Sequence, residues 1–392
     1  VTYGALILVF CTLALLPWAL LPAATSGPER LRGRTAVVML TTLIVLCVLT
    51  VVFDSLIISA GFVEYGAGAL SGIRLWHAPV EDLSYVLAGV LLLPGLWRGL
   101  EDPRRARDHL AMLVSTSRPV SWVNTAYPFA AAYLLTEHRV DDLLVVGTIF
   151  FLIPYNLLMY GINDVFDHES DLLNPRKGGL EGALVDPSRH RGILVASVVC
   201  PVPFVLYLLF SGDVVDAVTL AVSLFAVVAY SVKGLRFKEK PGLDSATSAT
   251  HFVSPMIYGL VLADATWTWS TVAVTLAFFV WGMASQAFGA VQDVRADRAA
   301  GLGSIATVVG SRRTVWAALC GYLAAGLLLL TSAWPGPLAA FLVLPYVVNL
   351  VPFLRIDDDS CETANRGWKR FLWINYVVGF AVTMLLIYSA WD

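Results

Sequence analysis

The sequence predicts an all-α polytopic membrane protein, and three observations carry the prediction. Apolar residues make up 58% of the 392 residues and charged ones only 14%, a balance far outside that of soluble domains. Apolar runs long enough to cross the hydrocarbon core as helix, roughly 17–25 residues, recur along the whole chain. Basic residues gather in alternate connections between those runs, as the positive-inside rule expects of cytoplasmic loops.

Three spans are expected first, near 3–22, 35–53 and 82–97. Nine follow, near 119–136, 143–162, 192–210, 214–232, 246–263, 271–291, 314–332, 337–354 and 371–389. The first run has no basic stretch before it and Arg30, Arg32 and Arg34 after it, so it reads as a retained span rather than a signal peptide. With both termini outside, the loops 23–34, 98–118, 163–191, 233–245, 292–313 and 355–370 face the cytoplasm. Those loops hold every Lys and Arg except Arg74 and Arg139.

The segment 98–118 is the longest charged interruption in the first half and sets the expected domain boundary. Residues 1–97 form a three-span unit, 98–118 a basic cytoplasmic linker, and 119–392 a nine-span unit. Pro103 and the dense charge favour a hydrophilic linker, with a surface-lying basic helix over 104–114 as the alternative. A net charge of -3 gives no case for nucleic-acid binding. Cys11, Cys47, Cys200 and Cys320 lie in apolar runs and Cys361 stands alone in a polar loop, a pattern of packing cysteines without a disulfide framework or zinc site.

Chemistry concentrates at two acidic motifs on the expected cytoplasmic side. Asn163 opens a stretch that places Asp164, Asp167 and Asp171 at i, i+3 and i+7, one face of a helix, directly after an apolar run. Asp293 and Asp297 stand at i, i+4 where another span ends. Carboxylates beside lipid are costly without partners, and five converging in a partly dry cavity repel one another unless cations join them. Mg2+ suits such a set, because it binds through one or two carboxylates, waters and substrate phosphate oxygens. Basic residues stand where a diphosphate needs them: Arg176 and Lys177 after the first motif, Arg298 after the second, and Arg236 and Lys238 in the loop between.

Asn-Asp-x-x-Asp-x-x-x-Asp at 163–171, Asn174-Pro175-Arg176-Lys177, Tyr230-Ser231 leading into Arg236-Phe237-Lys238, and Asp-x-x-x-Asp at 293–297 resemble the UbiA-type intramembrane prenyltransferases, which include the quinone-biosynthesis enzymes. The resemblance covers about 110–392. It implies a nine-helix bundle whose two motifs hold Mg2+ around a prenyl diphosphate, with Asp164 and Asp293 central to ionisation, while the acceptor enters from the bilayer. The second motif departs from the family's fuller Asp-x-x-Asp-x-x-x-Asp pattern, since position 290 is Ala. Phe166, Tyr160 and Phe288 are expected on an apolar wall that keeps water from an allylic cation.

The front unit carries Pro79-Val80-Glu81-Asp82, two acids at the start of an apolar helix, which by itself fits an ordinary helix N-terminus. Asp54 and Glu64 fit solvated loop positions equally well. A three-span unit with this motif is also similar to one subunit of the heterodimeric lycopene cyclases of Gram-positive bacteria. The pairing of the two resemblances implies a lycopene elongase/cyclase of fifty-carbon carotenoid synthesis that works with a second cyclase subunit. Dimethylallyl diphosphate is then the donor, lycopene the acceptor, and Glu81 with Asp82 the base for ring closure. An aromatic acceptor of the quinone type, an ion-coupled transporter and a noncatalytic carotenoid scaffold stand as alternatives.

Overall fold

A computed structural model describes residues 3–21, 29–65, 70–168, 172 and 185–391. Helices account for nearly all of the regular structure. In chain order the first are α1 (Tyr3–Leu20), α2 (Glu29–Ser59), α3 (Leu83–Glu101), α4 (Pro103–Thr116), α5 (Trp122–Glu137), α6 (Asp142–Leu152) and α7 (Pro154–Phe166). After them come α8 (Pro187–Val199), α9 (Val202–Ser211), α10 (Val214–Ser231), α11 (Leu243–Leu262), α12 (Trp269–Val291), α13 (Val294–Ala299) and α14 (Ile305–Val309). The last are α15 (Ser311–Leu330), α16 (Gly336–Ala339), α17 (Leu344–Leu350) and α18 (Asn365–Trp391). Two short strands, β1 (Arg74–Leu75) and β2 (Ala78–Pro79), pair antiparallel between α2 and α3.

Among the described residues, 9 helical segments are long and apolar enough to cross a membrane, and each falls on an expected span. The remaining three expected spans fall on α1, α5 and α11. Proline explains where the segments depart from single straight helices. Pro154 breaks the ladder between α6 and α7, Pro201 does so between α8 and α9, and Pro345 and Pro352 accompany the 3-10 turns that interrupt Gly336–Phe353. The 98–118 segment contains a real helix: Asp102 caps α4 by accepting from Arg105 N at 3.1 Å, and Pro103 occupies its first turn. It exposes Leu110 and Val114 as well as Arg104 and Arg107.

By internal contacts the chain divides into two units, 1–120 with 153–161 and 185–213, and 121–152 with 162–184 and 214–392. In the first, Trp18 ties α1 to α3 by donating to Leu91 O at 2.6 Å, with Arg98 stacked 4.6 Å over the indole. The strand pair is held to α2 by Ser55, whose fully buried Oγ accepts from His77 N and Ala78 N at 3.1 and 3.2 Å.

In the second unit α11 packs against α5 without side chains between them at Gly259. A Cβ there would stand 2.7 Å from Phe129 O, a backbone atom that has no rotamer to escape into. Small residues at such crossings replace the hydrophobic drive that lipid removes. Around this crossing Phe129, Phe151 and Tyr258 form a buried aromatic cluster with centroids 5.1–6.0 Å apart. Gly259→Val is therefore expected to cost about 1–3 kcal/mol of stability through overpacking. Thermal unfolding in detergent reads this, and an unchanged midpoint would show that the helices part without cost.

Candidate functional site

The first acidic motif closes α7. Asp164 occupies its last turn, and Asp167 N continues the ladder by donating to Asn163 O at 2.9 Å, so the two carboxylates share a helical face as their spacing predicts. Both are buried, at 2% and 8% exposure, which makes their charge expensive unless it is matched. Asn163 Oδ1 accepts from Ser231 Oγ at 2.9 Å, fixing the end of α7 to the end of α10.

The loop after α10 supplies the match. Arg236 adopts a left-handed backbone, φ +40, and so turns the chain into the 3-10 turn Phe237–Glu239. That turn carries Lys238 inward, where its ammonium pairs directly with Asp167 Oδ1. Arg236 Nη2 stands 3.9 Å from the same oxygen and bonds Glu239 through Nε at 2.8 Å. Burial pulls the Lys238 ammonium down to about 8 against the opposing pull of Glu239, Asp164 and Asp297. Lys238 thus pairs with Asp167 of the first motif, and the charge of Asp164 and Asp297 acts on it as well.

The second motif follows α12. Gln292 Oε1 accepts from Asn365 Nδ2 at 2.6 Å where α12 stops, and Asp293 precedes α13. Asp297 N donates to Asp293 O at 2.8 Å, one helical turn on, so this pair also keeps its predicted face. Arg298 uses its guanidinium differently from a free phosphate contact: Nε and Nη2 donate to Thr307 O at 3.1 and 2.8 Å, and Nη1 pairs with Asp358 Oδ2 at 2.7 Å. Asp358 also accepts from Ser311 N at 2.8 Å, and these bonds hold its carboxyl at about 2. A depressed carboxyl stabilises the fold above its unfolded value, roughly 3.9, and loses that contribution as pH falls toward 2. Acid unfolding between those limits is expected to be weaker in Asp358→Asn than in the native chain; equal acid sensitivity would remove Asp358 from the account.

Asp171, Arg176 and Lys177 lie outside the described residues. Among the described residues no three His, Cys, Asp or Glu side chains close into a metal-binding group. The donor set nevertheless fits a hard cation: it offers carboxylate oxygens only, and its first motif already holds a positive charge, Lys238, on Asp167. Phe288, expected on the wall of a cavity, packs in the helix core at 1% exposure, 5.7 Å from Phe353. Tyr160 lies under the Arg118 guanidinium at 4.2 Å.

Asp244 had no sequence signal. Buried Asp244 accepts from Ser245 N and Ile305 N, both at 2.8 Å, and so joins the start of α11 to the start of α14 beyond the second motif. Ser231 stood in the quoted Tyr-Ser pair, but only the fold gives it Asn163 as partner.

In the front unit Glu81 and Asp82 are both buried at 7% exposure. Glu81 Oε1 accepts from Ser71 N at 2.6 Å, while Oε2 has no hydrogen-bond partner among the described residues. Glu81 lines an open groove whose other lining residues are mostly apolar, including Ile7, Leu43, Leu83 and Leu87. Asp82 Oδ2 accepts from Tyr65 OH at 2.6 Å. Asp54, read from sequence as fitting a solvated loop position, sits instead on α2.

An α-helical membrane bundle whose span ends gather carboxylates and basic residues is the class of protein these features define. Residues 125–375 match the model of the UbiA prenyltransferase family, and residues 5–98 match that of lycopene cyclase. The chain belongs to the UbiA prenyltransferase family and is a multi-pass membrane enzyme. It is 48% identical over 401 residues to the C(50) beta-cyclic carotenoids biosynthesis protein LbtBC of Dietzia sp. (strain CQ4), covering 93% of this chain and 92% of the relative. It is 50% identical over 283 residues to a lycopene elongase/hydratase of Corynebacterium glutamicum, covering 71% of this chain and 98% of that protein. The fold is similar to a UbiA homolog from Archaeoglobus fulgidus bound to DMAPP and Mg2+, with a TM-score of 0.51 and 16% identity over 68% of this chain and 98% of the other.

Proposed function

We propose that the chain transfers a dimethylallyl group from dimethylallyl diphosphate to the ends of lycopene, in fifty-carbon carotenoid synthesis, and couples the transfer to ring closure with a second cyclase subunit. The observation that supports the prenyl-transfer half is the inward-turned Lys238, paired directly with buried Asp167 of the first acidic motif. The resemblance to LbtBC over nearly the full length of both chains supports the acceptor and the coupling. The reading assigns 1–97 to a cyclase-type domain, 98–118 to a linker and 119–392 to prenyl transfer, with both acidic motifs on the cytoplasmic side and both termini outside.

Asp164, Asp167 and Asp171 with Asp293 and Asp297 would hold Mg2+, which when bound supplies Lewis-acid help to the departing diphosphate. Lys238 and Arg236 bind diphosphate oxygens, joined by Arg176 and Lys177, and stabilise the charge that develops as the C–O bond breaks. Arg298 positions the second motif through Thr307 and Asp358 rather than gripping substrate. The terminal double bond of lycopene attacks the allylic cation, forming a C–C bond and leaving a tertiary cation. Direct proton loss gives an elongated acyclic end. Attack by the neighbouring double bond, followed by proton transfer to Glu81 Oε2, gives a ring.

Product analysis in a lycopene-making host tests both halves. Elongated acyclic carotenoid is expected from this chain alone, and cyclic product when a partner subunit is added; unmodified lycopene in both cases would refute the reading.

A further inference from the structure

We propose that Asp244 is a positioning residue for diphosphate binding: it fastens the segment after the second acidic motif to the turn that carries Lys238, and so holds the two at a fixed separation. The inference rests on the prenyl-transfer reading above. Asp244 stands in the first turn of α11 and is 2% exposed. Its Oδ1 accepts from Ser245 N at 2.8 Å, an ordinary use of an acid at a helix start. Its Oδ2 makes a bond that α11 does not need: it accepts from Ile305 N, 61 residues further along the chain, at 2.8 Å.

Each side of that bond is a piece of chain closed by its own hydrogen bonds. On one side Lys240 N donates to Phe237 O at 3.1 Å and Asp244 N to Lys240 O at 2.9 Å, so the turn bearing Lys238 runs into α11 without a break. On the other side Leu302 N donates to Asp297 O at 2.8 Å, and the Arg298 guanidinium donates to Thr307 O, so 297–307 folds back on itself. The two pieces also meet backbone to backbone. A Cβ at Gly303 would stand 2.5 Å from Glu239 O, the carbonyl of the residue next to Lys238.

Lys238 pairs with Asp167 of the first motif, so fastening its turn to 297–305 ties the first motif to the second. A buried carboxylate that accepts from two backbone N–H groups forms charge-assisted bonds in a low dielectric, and such a link has little slack. Its removal leaves Ser245 N and Ile305 N without this acceptor. Groups that act together on one leaving group depend on that placement, and a shift of about 1 Å can cost about 10²-fold in rate.

The test pairs a distance measurement with kinetics on the purified full chain in detergent. Spin labels carried by non-natural amino acids at the exposed positions Lys240 and Ala299 report the separation of the two pieces without substrate. One narrow distance distribution is expected in the native chain. A broader or longer one is expected in Asp244→Ala, and also in Gly303→Ala, which keeps the carboxylate but forces the pieces apart at Glu239 O. Diphosphate release from dimethylallyl diphosphate is expected to fall about 10–10²-fold in both variants, mostly in kcat rather than KM. Asp244→Asn, which keeps one acceptor oxygen, is expected to retain more activity than Asp244→Ala. Lys238→Ala is expected to cost less in the Asp244→Ala background than in the native chain, because the lysine is already displaced there. Unchanged distances in both variants, or additive losses from Asp244→Ala and Lys238→Ala, overturn the proposal. If Asp244→Ala does not fold, Gly303→Ala decides by the same two readouts. If the native chain releases no diphosphate, the prenyl-transfer reading fails, and the distance distributions alone decide whether Asp244 fastens the two pieces.

Discussion

Asp164→Asn and Asp293→Asn each lower diphosphate release from dimethylallyl diphosphate by about 10²–10³-fold, the scale lost when one preorganised electrostatic contact is removed from a low-dielectric site. The isosteric amide keeps the volume of buried Asp164, so the elution profile and helix content are expected to hold while turnover falls. Because the two residues come from separate motifs and act on one leaving group, the double variant is expected to be little worse than either single one. Release at the native rate in either variant would remove that motif from the site.

Glu81→Gln changes the product rather than the rate of prenyl transfer. Elongation is expected to continue, because the proposed diphosphate site uses none of the front unit's acids, while cyclic product is expected to fall by about 10²-fold or more with loss of the proposed general base. Gln keeps an acceptor for Ser71 N and so preserves the local fold. The readout is the cyclic-to-acyclic ratio with the partner subunit present. An unchanged ratio would place the base elsewhere.

The membrane fold was legible from the sequence because hydropathy and charge placement are read one segment at a time. The twelve expected spans all fall on helix, and only the breaks at Pro154, Pro201, Pro345 and Pro352 divide what had been read as continuous segments. The paired faces of Asp164 with Asp167 and of Asp293 with Asp297 were equally local, being set by helical spacing. What sequence left open depends on partners distant along the chain. Lys238 carries the same signal as Lys233 and Lys240, that of a charged residue in a connection between spans, and only the turn after Arg236 sends it inward. Arg298 stands beside Asp297 in sequence, but its donors go to Thr307 and Asp358.

The central claim is that the paired motifs drive transfer of a dimethylallyl group to a carotenoid. Its most direct test supplies the purified chain with isotopically labelled dimethylallyl diphosphate, Mg2+, lycopene and, in equal amount, a hydroxybenzoate or naphthoate. The account predicts label in elongated carotenoid, released diphosphate in step with it, and loss of both on chelation of the metal; label in the aromatic acceptor with lycopene untouched would contradict it.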